Sequence, residues 1–561
     1  MPGRCPIVLP ELATRKLIEH WTPSTLLLFS VTKGLECLTR LGLRSSEDPW
    51  RKTARAAFPR SANLGQFTMA AFRMQVATAD TTDDDPPVAT NRAGSPTEPP
   101  GPLPSPGPEA ISREANQSAL SGALAAESRA CREHLIAELA ALLRTHRDLV
   151  GRRLDWRRRG VKLKRNDHVD LAVADVDDLG NLVRMTPYFE SPRPTVDDPD
   201  QLIGLLIGAY NQARQAGARE RPFLLRKCLR GALRGTPDEA QASKFLDRVL
   251  ASTFVHFETD TSPERFQPPS LFRDPHLGSG ALRVCCRLNP CDQEADMWLQ
   301  VNHILVDGNP VAEFLNRLRQ EWGTRGPTTV PAPSTNAWTA FSTEGDDQTT
   351  RIRKSHRFID FGPLLRARRQ LNDRYHADVG DITLVSLVVW GLAQQPTFRN
   401  SKIATAVDVP TRQVDSEERT ITFVMSRPAR FLHDGDRLTA FLRFQTDFNQ
   451  QLHAARRREN AFRRAQAAHA LAPVPLFNAA MTLLPRAVHD MCGDVCLTMI
   501  KNAEFFEGPA VAGMRAVIAV GNVQMAAENG ETAGLVSIKS AEAEGERCLQ
   551  AFDAAVARWE L

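Results

Sequence analysis

The sequence predicts an α/β protein, and three observations carry that expectation. From about Asn166 to Leu561, short β-branched apolar stretches alternate with amphipathic helical ones. No repeat of fixed period runs through the chain, so a solenoid or propeller is not expected. At 561 residues the chain exceeds one compact core, while 42% apolar and 24% charged residues suit a globular protein. That balance excludes a wholly disordered, collagenous or coiled-coil chain.

Taken in order, Met1–Gln75 holds apolar pieces but no readable motif. It reads either as a small module or as sequence lying ahead of a start at Met69. No basic stretch leads into an apolar core within Met1–His20, so a secretory signal is not expected. The runs Thr25–Val31 and Leu384–Ala393 fall far short of the ~20 residues that span a bilayer. Between Thr78 and Pro108 an acidic opening (Asp80, Asp83, Asp84, Asp85) precedes nine prolines. Proline fixes φ and lacks a donor, so this stretch reads as an extended linker. Leucines and alanines at three- and four-residue steps then predict a helix over Ile111–Val150.

Eight basic side chains crowd Arg152–Arg165 around Trp156. The plain reading is a solvated junction, and the functional one a patch for an anionic membrane surface, in weak contact, or for the phosphates of a large cofactor. Beyond it, strands are expected at Thr253–Phe257, Leu282–Leu288, Met297–Asn302, His356–Phe361, Ile403–Val409, Val495–Ile500, Arg515–Val520 and Leu535–Ser540. Helices are expected at Val311–Trp322, Leu364–Tyr375, Ile382–Gln394, Arg437–Arg458 and Gly545–Leu561. The resulting divisions are residues 1–77, a linker at 78–110, a helix and basic junction at 111–165, and two larger units at 166–345 and 346–561.

A net charge of +4 does not argue for nucleic acid. The 10 cysteines are scattered, with no CxxC pair and no zinc-like spacing of His and Cys, so buried thiols and no metal are expected. Cytoplasmic residence follows as the default expectation.

One constellation carries chemistry. The strand ending Gln300-Val301-Asn302 feeds into His303, and after three apolar residues Asp307 and Gly308 open a helix. An imidazole at the end of a buried strand is held rigidly yet presented to a cleft, as a general base must be. Gly308 permits a tight exit into the helix. Asp307 reads as the carboxylate that fixes the turn, and the alternative is a plain helix cap. Composition alone gives about 0.05 chance occurrences of His-x-x-x-Asp-Gly per chain.

This run resembles the signature of the chloramphenicol acetyltransferase-like acyltransferase superfamily. Its members include dihydrolipoyl acyltransferases, condensation domains of peptide synthetases, plant alcohol acyltransferases and wax ester synthase/diacylglycerol acyltransferases. With the whole of Gly308–Leu561 still to follow, the chain is similar to the monomeric branch. In it, two α/β sandwich halves form a pseudo-dimer around a central channel. Asp381–Trp390 and Ile403–Arg412 resemble that branch's second half. Asn302 stands where condensation domains and wax ester synthases carry the first of two His, and Thr411 where a Gly precedes Arg412. Asp360-Phe361-Gly362 reads as the end of a crossover strand rather than the plant enzymes' late motif.

The resemblance implies transfer of an acyl group from a CoA or carrier thioester to an alcohol or amine, with no covalent acyl-enzyme. His303 is then the general base, Arg412 the ion-pair partner of Asp307, and Ser426 an oxyanion donor. The thioester is a co-substrate rather than a resident cofactor, and a monomer is expected. Two other outcomes stand beside this one: a condensation-like amide- or ester-forming protein, and a binding or scaffold member without chemistry.

Overall fold

The computed structural model describes residues 67–75, 132–157, 160–177, 179–190, 194–216, 221–236, 238–259, 278–288, 294–303, 305–306, 308–322, 335–343, 349–410, 419–457, 493–500, 503–508, 514–525, 532–541 and 544–557, with scattered residues between 30 and 38 and residues 269 and 272. The predicted linker Thr78–Pro108 lies outside them, as do Asp307 and Arg412.

Two sheets organise the chain. The first has strand order β14-β1-β8-β7-β6-β4-β5. Its strands are β1 (Phe67–Gln75), β4 (Leu171–Val176), β5 (Leu182–Tyr188), β6 (Thr253–Thr259), β7 (Leu282–Leu288), β8 (Glu294–Asn302) and β14 (Phe505–Glu507). The second runs β12-β11-β13-β15-β17-β10-β9, with β16 (Gln524–Met525) beside β17. These are β9 (Thr335–Thr343), β10 (Thr349–Asp360), β11 (Ile403–Pro410), β12 (Arg419–Ser426), β13 (Val495–Met499), β15 (Ala516–Val520) and β17 (Thr532–Ala541).

Helices pack against both faces of the first sheet and one face of the second. The first half carries α1 (132–145), α2 (Pro199–Arg214), α3 (Arg221–Leu233), α4 (Glu239–Ala251) and α5 (Gly308–Trp322). The second carries α6 (Gly362–Val379), α7 (Leu384–Gln394), α8 (Arg437–Arg456) and α9 (Gly545–Ala557). Side chains end several of them: Asp198, Asp238 and Asp436 each accept a bond from the backbone N–H three residues on, and Thr383 with Ser386 forms a capping box.

Period-two alternation sorts each sheet into two faces. In the second, Ile403, Val424, Val495, Leu497, Ile518, Val536 and Ile538 face the helices and join Trp390, Phe441 and Phe444 in one apolar core. In the first, Val255, Val284, Leu299 and Val301 do the same against Val311, Phe314, Leu315 and Leu318 of α5. On the opposite face of the first sheet, Ala172, Ala174 and Phe254 pack against α2, α3 and α4, while Cys285 and Trp298 meet Phe505 and Leu535 at the seam between the halves.

Three findings depart from the sequence reading. Met1–Gln75 contributes β1, which lies between β8 and β14 and pairs from Phe67↔Asn302 to Gln75↔Glu294. Met69 therefore sits inside a strand of the first sheet. The basic run Arg152–Arg165 is a hairpin, β2 (Arg152–Arg157) against β3 (Gly160–Arg165), anchored by Leu154 in the core. The helix expected over Ile111–Val150 is seen at 132–145, continued after a break by Arg147–Val150.

Candidate active site

β8 delivers His303 to the seam. Its last residue, Asn302, accepts backbone bonds from Leu305 (3.0 Å) and Val306 (3.2 Å), closing a tight turn around His303. Leu305 and Val306 are buried in the first core, so the turn is pinned on its inner side while His303 keeps part of its surface open. Burial is the main force on the ring and lowers its pKa to about 4, with the positive charge of Lys539 acting in the same direction. Lys539 belongs to β17 of the other half, so His303 stands where the halves face each other.

Around it lies a buried ionic triad that the sequence reading did not pick out. Lys354 (β10) and Lys539 (β17) both reach Glu507 of β14; Lys354 Nζ lies 2.8 Å from Glu507 Oε1 and Lys539 Nζ contacts the same oxygen. All three are almost fully buried. Burial, partly opposed by Glu507, lowers Lys354 to about 7 and depresses Lys539 as well. For Glu507, burial pushes upward, but the two ammonium groups hold it below the usual carboxylate range. Glu507 pairs with Met69, which pairs with Gln300 near the end of β8, so the triad ties His303's strand to the second sheet. The signal lay in Leu535–Ser540, where a lysine stands in a short strand of apolar residues and serines.

The first sheet's seam face is unusually polar. Register places Arg283, Arg287, Asp296, Gln300 and Asn302 on it, all buried. Arg283 donates to Tyr210 Oη at 2.9 Å, and Gln300 donates to the Phe272 carbonyl at 3.1 Å. Phe272, Trp298, Phe505 and Leu535 fill the space between.

The other expected site residues fall as follows. Gly308 is the first residue of α5. Asp307 and Arg412, expected to pair, lie outside the described residues. Ser426 ends β12, buried, and among the described residues its Oγ has no hydrogen-bond partner. Register gives it the helix-covered face of Ile403 and Val424, opposite to that of Lys539. The oxyanion role expected of it is thus left without a geometric link to His303. Asp360 ends β10 and accepts from the Gly362 N–H at 2.7 Å, a turn-forming contact in line with the crossover reading.

No family model matches the chain, and no curated protein matches it. Solved structures do. The wax ester synthase/diacylglycerol acyltransferase from Marinobacter aquaeolei VT8 is 9% identical, over 96% of this chain and 98% of that one, with a TM-score of 0.33. The dihydrolipoamide acetyltransferase of Azotobacter vinelandii is 13% identical, over 37% of this chain and 81% of that one, with a TM-score of 0.25. A nonribosomal peptide synthetase is 13% identical, over 54% of this chain and 35% of that one, with a TM-score of 0.28. Likenesses so distant carry no argument about its activity, which has to rest on the site.

Proposed function

We propose that the chain is an acyltransferase that moves an acyl group from a CoA or carrier thioester to an alcohol or amine, with His303 as general base. The observation that supports it best is a partly open imidazole, fixed at a strand end in the seam between two α/β halves. With a pKa near 4 the ring is unprotonated throughout the neutral range. Weaker basicity accompanies that state, so the acceptor's proton transfer must be completed as its bond to carbon forms.

In the proposed step, His303 takes the proton from the acceptor O–H or N–H as that atom attacks the thioester carbonyl. The tetrahedral intermediate then expels the thiolate, which recovers the proton from the imidazolium. A C–S bond breaks, a C–O or C–N bond forms, and no residue becomes acylated. Asp307, at the turn, and Arg412 are proposed as the pair that holds His303 in register. Contact of the Arg152–Arg165 hairpin with an anionic membrane surface is proposed as a route to apolar acceptors.

The test is a matrix of short- and long-chain acyl-CoA donors against alcohol and amine acceptors, read by free thiol release and product mass. Ester or amide formed in step with thiol supports the reading, and the acceptor class separates the alcohol-acylating enzyme from a condensation-like one. Absence of turnover across the matrix and with carrier-bound thioesters would favour a scaffold.

A further inference from the structure

Away from His303, the seam face of the first sheet holds His256, Glu258 and Cys285, whose ligand atoms all lie within 4.8 Å of one another. The β-strand period puts His256 and Glu258 on one face of β6, and parallel pairing sets Cys285 of β7 directly beside His256. Sequence spacing could not reveal this set, because the third member comes from the neighbouring strand.

Protonation makes the arrangement informative. His256 Nδ1 lies 2.7 Å from the Ala174 carbonyl oxygen, which can only accept, so Nδ1 carries the hydrogen. Among the described residues Nε2 finds no hydrogen-bond partner, although the residue is only 4% exposed, and it points at Glu258 Oε1 from 3.3 Å. In the neutral ring that is a lone pair facing a carboxylate oxygen, which is repulsive unless a positive centre stands between them. A proton needs only these two atoms, whereas a metal also accounts for the thiol that completes the set.

We propose that His256 Nε2, Glu258 Oε1 and Cys285 Sγ form a binding site for a divalent cation of the zinc class at the seam. The donor set of one thiolate, one imidazole and one carboxylate suits that class. A tetrahedral zinc with ordinary N and O bond lengths sets those two ligand atoms about 3.3 Å apart, and the observed separation is 3.3 Å. Outer contacts also match. The Ala174 carbonyl fixes the imidazole tautomer, and Arg287 Nη2 holds the other carboxylate oxygen, Glu258 Oε2, at 2.9 Å. Phe272, Trp298, Phe505 and Leu535 surround Cys285, the last two from the chain's second half, so the ion would brace the first sheet where the halves meet. On binding, the Cys285 thiol gives its proton to solvent as the sulfur–metal bond forms.

The experiment uses the full chain, stripped of metal by chelator, dialysed and titrated with Co²⁺ and then Zn²⁺. The expected result is one ion per chain, a near-ultraviolet thiolate-to-cobalt band displaced by zinc, and release of about one proton per ion at neutral pH. C285S and H256A should lose the band. C286S should keep it, because Cys286 points to the opposite face, with its Sγ 3.7 Å from Met297 Sδ. If C285S does not fold, R287K serves instead, with affinity expected to fall ~10–100-fold. No stoichiometric binding by wild type, or an unchanged band in H256A, would overturn the proposal and leave His256 and Glu258 as a proton-bridged pair.

Discussion

At the residue scale, the account turns on one ring and the charge opposite it. The position of His303 was legible because a strand pattern ran directly into it and a helix pattern began five residues later. Lys539 was not legible as its neighbour, since strand register across two halves is not encoded locally. The ammonium disfavours the imidazolium, so its removal must raise the His303 pKa and carry any acid limb with it. Under K539M, the pH at which acyl transfer falls off should move upward from near 4, measured as rate against pH; a limb that stays in place would mean the two groups do not interact. Ser426 shows the converse limit: its type and place in the chain suggested a donor, while register turned it to the helix-covered face.

At the scale of elements, most strands and helices of 253–557 were readable from periodicity, because each buries one face against a continuous core. β14 escaped notice because it has only three residues, and β9 because its alternation is weak. β1 was missed because its use depends on two distant partners, β8 and β14. Glu507 on β14 carries the link between the sheets. E507Q removes the one carboxylate shared by two buried ammonium groups, and should destabilise the fold by about 3–5 kcal/mol at neutral pH. Denaturant unfolding measures this, and the penalty should shrink above neutrality as Lys354, lowered to about 7, sheds its proton. Deleting residues 1–75 exposes the long edge of β8, so that chain should aggregate where full-length protein stays monodisperse by light scattering. A soluble truncated protein with an intact unfolding transition would show that β1 is dispensable.

At the scale of the whole molecule, two α/β halves meet through a mixed seam, in which buried polar side chains flank the apolar cluster of Phe272, Trp298, Phe505 and Leu535. Arg283, Arg287, Gln300, Lys354 and Lys539 are all buried there. Burying so many polar groups is costly unless they are paired, and such a seam fixes one arrangement of the halves more strictly than an apolar one would. The α/β class was foreseen from strand–helix alternation and the two halves from the family resemblance, but the polar seam was not, even though Arg283 and Arg287 interrupt one apolar strand four residues apart and Gln300 interrupts another. What the site does with this seam is settled most directly by single-turnover thiol release from acyl-CoA in the presence of an acceptor, comparing wild type with H303A. The account predicts that the variant folds like wild type and loses on the order of 10²–10⁴-fold in transfer rate. Equal rates in the two proteins would contradict it.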